Sequence, residues 1–568
     1  MKNLFFTVKN CIQNIEAFLN DYLNKAGSVV TVPYLAYVNW GIHLARTADV
    51  DNAVEKLETA VLMNPSSVSA HMNLGIVFLQ KEQYEKALKE FLTSIDLDEE
   101  NAHAYSLAAT VFVYLNEFKT GESYFKKAVK MNEYLPEIYL NYASALAAKG
   151  KKDKAADMYN LALRYDPGNF YAVFCLGVLY YNSGRFEQAG EKLTYALNLD
   201  ENNPEALYYA GLCAYNLGNM PAALFYAQKA LRFVETKNLV VLKAESLMMM
   251  DNEAESLTCF ESYSKKYEND LSFLAAWGNA LQKFGRLEQA GEKLTAAFEI
   301  NPDDEKTLML SAQNRMKRGD LKTAAILLKK VIKNNPKNAE ATGTLGKVLY
   351  TEGNSGEAIE YLKKAVKMSG KSGVFYPYLA KACFNVGDLT SAEFYYMKAT
   401  EYNSEDVASY VAYAGLLLQS DKPEEALRKI RTAYKLSPDS IDVNRLYVAI
   451  LMKLKMYPEA LLKLDKIISF APDFYEAIFT KVEVLNYLGR PQDAVKLVSS
   501  LPEEIKDTKD FLYNAMISYK NLAQKMPSRY NVDVAMQYCD RLTDKYSREY
   551  KTDGIRQELE EISKLTER

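Results

Sequence analysis

Residues 184–194 read GRFEQAGEKLT and residues 285–295 read GRLEQAGEKLT, eleven letters alike but one, at a distance of 285 − 184 = 101 positions. A chain that repeats itself so closely is assembled from copies of one unit, and 101 is three units of about 34 with one residue lost. Stepping by 34 finds the unit almost everywhere. One small residue recurs as Gly41, Gly75, Ala109, Ala143, Gly177 and Gly211 and, after a step of 67, as Gly278, Ala312, Gly346, Ala380 and Ala414. A second small column runs Ala53, Ala87, Gly121, Ala155, Ala189 and Ala223, then Ala290, Ala324, Ala358, Ala392, Ala426, Ala460 and Ala494. Large residues flank the columns, as Val173, Leu176 and Tyr180 flank Gly177. Two antiparallel helices approach closely only where side chains are small, so these are the packing positions of a helix pair.

With Pro65, Pro167, Pro302, Pro336, Pro438 and Pro472 closing their units, the pattern resembles the tetratricopeptide repeat (TPR) family over residues 34–501. The resemblance implies an all-α fold, a right-handed TPR α-solenoid of about fourteen repeats, each burying its apolar face only against its neighbours. Residues 34–237 then hold repeats 1 to 6, and 238–270 a degenerate repeat with Glu245 where a small residue is expected. Residues 271–501 hold repeats 8 to 14, the last two carrying Val448 and Val482 at the small position, and 502–568 form C-terminal helices and a cap. Residues 1–33 form a capping helix and linker: Leu4, Val8, Cys11, Ile15, Leu19 and Tyr22 fall at helical spacing, which predicts a cap on the first repeat or, as the alternative, a docking helix for a partner.

Composition narrows the function. Lysine and arginine number 69 against 73 acidic residues, so no basic footprint for nucleic acid is expected. The six cysteines form no CxxC pair and read as small buried residues in a reducing compartment. His43, His71 and His103 fall one to a repeat, without the partners a metal site needs. The GEKLT segments lie inside a second helix, where no phosphate loop forms. No run approaches the ~18 apolar residues of a membrane span. The expectation is a cytoplasmic, non-catalytic protein with no cofactor, no metal, no nucleic acid and no direct membrane insertion.

Function must then lie on surfaces that the packing columns leave open. The first helix of repeat 5 carries a second apolar stripe, Tyr171, Phe174, Val178 and Tyr181, and repeat 6 supplies Tyr208, Tyr209, Leu212 and Tyr215. In the family that the chain resembles such a stripe lines the concave groove, where aromatic side chains concentrate binding energy. Packing between neighbouring repeats is the alternative role for these side chains. A groove column Asn279, Gln313, Lys347 and Lys381 offers donors to an extended peptide or its acidic side chains, and Asn39, Asn73 and Asn141, interrupted at Leu107, resemble a backbone-gripping ladder. Ala275 stands where the clamp of chaperone-binding TPR domains needs lysine, which excludes that specialisation.

The chain is thus expected to be a protein-interaction scaffold or adaptor that holds a peptide or helix in its groove. The alternatives are a structural component of a large assembly, such as a bacterial motility or secretion machine, packing through edges and convex face, and the recognition arm of a transferase. Self-association through residues 238–270 or the terminal helices is a further reading.

Overall fold

The computed structural model describes residues 33–369, 373–546 and 552–566, and among them every regular element is helical. The expected N-terminal cap in residues 1–32 lies outside the described residues, as does Cys11. Helices follow one another as antiparallel pairs, from Pro33–Arg46 with Val50–Met63 in repeat 1 to Tyr475–Tyr487 with Pro491–Ser499 in repeat 14. Longer helices, Lys509–Lys525 and Arg529–Tyr546, and then Asp553–Thr566 follow the last pair. The chain divides into two compact units, Met1–Ile300 with repeats 1 to 8 and Asn301–Arg568 with repeats 9 to 14 and the terminal helices.

Local chemistry explains many of the boundaries. The first helices begin behind a column of capping residues: Ser67, Asn101, Asn169, Asn203, Asp270, Asp304, Asn338, Asp406 and Ser440 each accept a hydrogen bond from a backbone N–H in the first helical turn. Between the helices of every pair stands one residue with positive φ. It is glycine in eight repeats, including Gly184 and Gly285, and Ala48, Glu82, Asn116, Asp251, Asp421 and Lys455 in the other six. Glycine meets no steric penalty in that conformation, so it is the residue the turn favours.

The two small columns meet large partners. A Cβ added to Gly177 would lie 2.8 Å from Leu193 Cγ, and one added to Gly278 would lie 2.7 Å from Leu294 Cγ. Ala290, fully buried, sits one helical turn before Leu294 on the same face. Ala290→Leu is expected to cost about 1–3 kcal/mol by overpacking, read as a lower urea midpoint.

The turn column also locates the missing residue. Successive positive-φ residues lie 34 apart except from Gly218 to Asp251, where 251 − 218 = 33. The loss therefore falls ahead of the core of repeat 7, and Ala244, not Glu245, takes the small position. Ser256 takes the small place of the second helix, and its buried hydroxyl donates to the Ala244 carbonyl at 2.9 Å. Phe260 fills the large position against Phe273 and Trp277. The packing positions of repeat 7 are filled, while its second helix, Glu253–Ser262, runs only 10 residues and the approach to the repeat is one residue short.

Candidate functional site

In the first unit the first helix of repeat 5, Phe170–Tyr181, and that of repeat 6, Pro204–Asn216, lie side by side. Four rings of these helices converge: Phe174 meets Tyr209 edge-on at 5.9 Å, Tyr181 meets Tyr209 at 5.7 Å, and Tyr208 meets Tyr209 at 5.4 Å. Phe186 of the second helix backs Tyr181 at 5.6 Å. Tyr171, Val178, Tyr181, Tyr208, Tyr209, Leu212 and Tyr215 are all partly buried, neither sealed nor free, whereas Phe174 is only 2 % exposed and belongs to the core beneath them. The sequence stripe thus resolves into a buried floor and a rim of tyrosines.

Burial pushes the Tyr208 phenol up to about 12, with neighbouring Tyr181, Tyr209 and Glu245 adding to it, and raises those of Tyr181, Tyr209 and Tyr215. The hydroxyls are therefore neutral near pH 7, able to donate and accept. Beside them opens a cavity of about 560 Å³, lined by Phe174, Cys175, Val178, Tyr208 and Tyr209 on one side and by Lys152, Glu205, Thr236 and Asn238 on others. Its far wall exists because the second helix of repeat 6 stops at Leu231 after 12 residues, where the five before it run 14, and the chain passes through an extended Thr236 into repeat 7. Sequence reasoning missed this wall. Its signal was the one-residue loss between Gly218 and Asp251.

The other candidate residues are distributed differently. Asn39 is exposed, whereas Asn73 and Asn141 are buried, and the Asn73 amide donates to the Ser69 carbonyl of its own helix at 2.8 Å, so the three do not present one accessible column. Asn279 is partly buried in the first unit. In the second unit Gln313, Lys347 and Lys381 are partly buried, and the two ammonium groups flank one ring, Lys347 Nζ at 4.9 Å and Lys381 Nζ at 5.8 Å from the centroid of Tyr378. Among the described residues neither lysine has a carboxylate within ion-pair distance. Two cations beside one aromatic ring make a site for negative charge.

The histidines have local explanations. His43 is exposed, and the buried His71 is held between Glu90 Oε2 at 2.6 Å and the Pro65 carbonyl at 3.0 Å. Complete burial lowers the His103 imidazole to about 4 from its ordinary 6.5. As pH falls below 6.5 the unfolded chain takes up a proton that the folded chain refuses, so stability is lost between pH 6.5 and about 4. The loss should reach about 2–3 kcal/mol by pH 4.5, and the pH dependence of urea unfolding should shrink by that amount in His103→Gln. Among the described residues no group of acidic, histidine or cysteine side chains could hold a metal ion, and no helix is long and apolar enough to cross a membrane.

Comparison with known families agrees with the helix pairs. A tetratricopeptide repeat pattern matches residues 286–439, and a second one matches residues 38–102 and 107–170. This is a tetratricopeptide-repeat protein. The TPR array also matches, over residues 148–230, the family described as anaphase-promoting complex, cyclosome, subunit 3, a stretch that includes the tyrosine rim. A search of curated proteins finds no match. Among solved structures, the crystal structure of the APC/C hetero-tetramer Cut9–Hcn1 aligns at 14% identity and a TM-score of 0.41, over 81% of this chain and 99% of that one. A structure of Pseudomonas aeruginosa pilF aligns at 18% identity and a TM-score of 0.32, over 36% and 94%. Since 425 solved chains resemble this TPR protein, likeness of fold singles out no partner among them.

Proposed function

We propose that the protein is an interaction scaffold that holds a partner polypeptide against the tyrosine rim of repeats 5 and 6. The observation that carries this reading is the packing of Tyr181 and Tyr208 on Tyr209, all three partly exposed, with Tyr208 and Tyr209 lining a cavity of about 560 Å³. Rigid aromatic groups with neutral hydroxyls at the mouth of a cavity are what a binding hot spot requires. The Lys347, Tyr378 and Lys381 cluster would take an acidic stretch of the same or another partner. Protein partners match the role of TPR arrays as interaction modules, and non-catalytic binding without a cofactor is the function proposed.

One observation favours a second reading, a structural part of a large assembly that packs through its second helices. Ile326, Phe394 and Leu462 stand 68 residues apart, at one position of alternate repeats in the second unit, and are 67 %, 49 % and 68 % exposed. Large apolar groups repeated on an open face mark a contact surface. The two readings separate by mutation: Tyr181→Ala with Tyr209→Ala should release the partner under the first, whereas Ile326→Ser, Phe394→Ser and Leu462→Ser should release it under the second. Partner retention by the tyrosine variant at wild-type level would refute the first.

A further inference from the structure

We infer that the outer face of repeats 9 and 10 docks on an anionic lipid surface, a function separate from the groove. The sequence supplies the charge. Repeat 9, residues 305–338, holds nine lysine and arginine residues against only Glu305 and Asp320, which gives 9 − 2 = +7 in a chain whose formal net charge is −4. All other residues together then carry −4 − 7 = −11, so positive charge is concentrated in this repeat rather than spread along the array.

Helix packing gathers much of it on one face. The second helix of repeat 9, Leu321–Asn334, buries Ala324, Leu328 and Val331. Lys322, Ile326, Lys329 and Lys333, spaced i, i+4, i+7 and i+11, therefore form the opposite stripe, and all four are exposed. The second helix of repeat 10, Ser355–Ser369, repeats the last two places as Lys363 and Lys367, also exposed. Both helices pack on Ala339–Thr351, and Lys329 Nζ reaches Glu357 Oε1 at 3.7 Å across the gap, so the two stripes are neighbours. Glu357 and Glu360 are the acids of this face, while Asp303 is taken by Lys330 at 3.2 Å. Among the described residues none of Lys322, Lys333, Lys363 and Lys367 has a carboxylate within ion-pair distance. The fold does not require lysine here, since the places of Lys329 and Lys333 hold Met397 and Glu401 in repeat 11 and Asp465 and Ser469 in repeat 13.

The chemistry of the face selects the occupant. Successive lysines of a stripe stand about 6 Å or less apart along the helix axis, inside the Debye length of about 10 Å at 0.1 M salt, so they act together on a charged layer. The stripes hold no arginine, tyrosine or tryptophan, the side chains that anchor protein hot spots and, as rings, stack on nucleic-acid bases. A lysine ammonium is a hydrated point charge on a flexible stem, suited to a layer of lipid phosphates. Ile326, 67 % exposed among the lysines, and Met368, 40 % exposed next to Lys367, supply the apolar groups that enter a headgroup layer. The contact is peripheral and needs no membrane span. It leaves the tyrosine rim untouched and competes with the assembly reading only for Ile326.

Sedimentation of the full chain with vesicles of phosphatidylcholine alone, and of phosphatidylcholine with phosphatidylglycerol, tests it. The chain should pellet with the anionic vesicles only. The triple substitution Lys333→Gln, Lys363→Gln and Lys367→Gln should weaken that partition about tenfold or more, with thermal unfolding unchanged because the three side chains are exposed. The lysine effect should vanish by about 1 M salt, where the Debye length falls to about 3 Å, whereas the smaller loss from Ile326→Ser should persist. Equal pelleting with both vesicles, pelleting with neither, or an unchanged partition of the triple variant would overturn the inference. Tighter binding to polyglutamate or to duplex DNA than to the vesicles, at matched negative charge, would assign the face to an acidic protein or a nucleic acid and overturn it as well.

Discussion

Phe260→Ala is expected to lower the stability of the first unit by about 3–5 kcal/mol, the largest single-residue effect on folding in this account. The ring is fully buried, stacked on Trp277 at 6.2 Å between centroids and edge-on to Phe273 at 5.4 Å. Truncation removes the group that joins repeat 7 to repeat 8 and leaves a void lined by two other large rings. In a stack where each repeat touches only its neighbours, a weak link also separates the blocks on either side. Urea unfolding followed by circular dichroism should therefore show a broader transition, with the earlier part assigned to repeats 1 to 7. A midpoint equal to that of the unmodified chain would mean that repeat 7 is not packed as described.

The second large effect concerns binding. Tyr181→Ala with Tyr209→Ala removes two rings that meet at 5.7 Å, Tyr209 lining the cavity and Tyr181 packed against it. Hot-spot aromatics contribute about 2 kcal/mol or more each, so the pair should weaken partner binding by about 4 kcal/mol, roughly a thousandfold in Kd. The fold should survive, because both side chains are only partly buried while Phe174 beneath them remains in place. Calorimetry with the isolated partner gives the Kd, and thermal unfolding of the same variant shows whether the loss is local. Tyr208→Phe should matter far less, since the ring remains and only a neutral hydroxyl is lost.

The helix pairs were legible because close backbone approach restricts residue type: glycine at 177 and 278 faces leucine at distances that exclude any side chain. Ala244 was misread as Glu245 because a deletion shifts everything after it, and spacing alone does not say on which side of a repeat the residue was lost. The positive-φ column from Gly218 to Asp251 does. The tyrosine rim was legible as a stripe, but Phe174 could not be separated from its neighbours, since whether an apolar residue is floor or rim depends on the adjacent helix. Lys152 and Thr236 gave no signal, because they reach the cavity from the start of the helix Lys152–Tyr165 and from a connection whose path follows from a shortened helix. The burial of Asn73 and Asn141 was invisible for a related reason: periodicity shows which face a residue is on but not what lies over that face.

The central claim is that the rim of repeats 5 and 6 is where a partner polypeptide is held. Its most direct test places benzoylphenylalanine at Tyr209 and, in a separate chain, at Phe225, which is 59 % exposed on the second helix of repeat 6. After illumination in native lysate, position 209 should give one discrete covalent adduct with another protein, lost when Tyr181→Ala is added, and position 225 should give none. Adducts from position 225 alone, or from neither, would contradict the account.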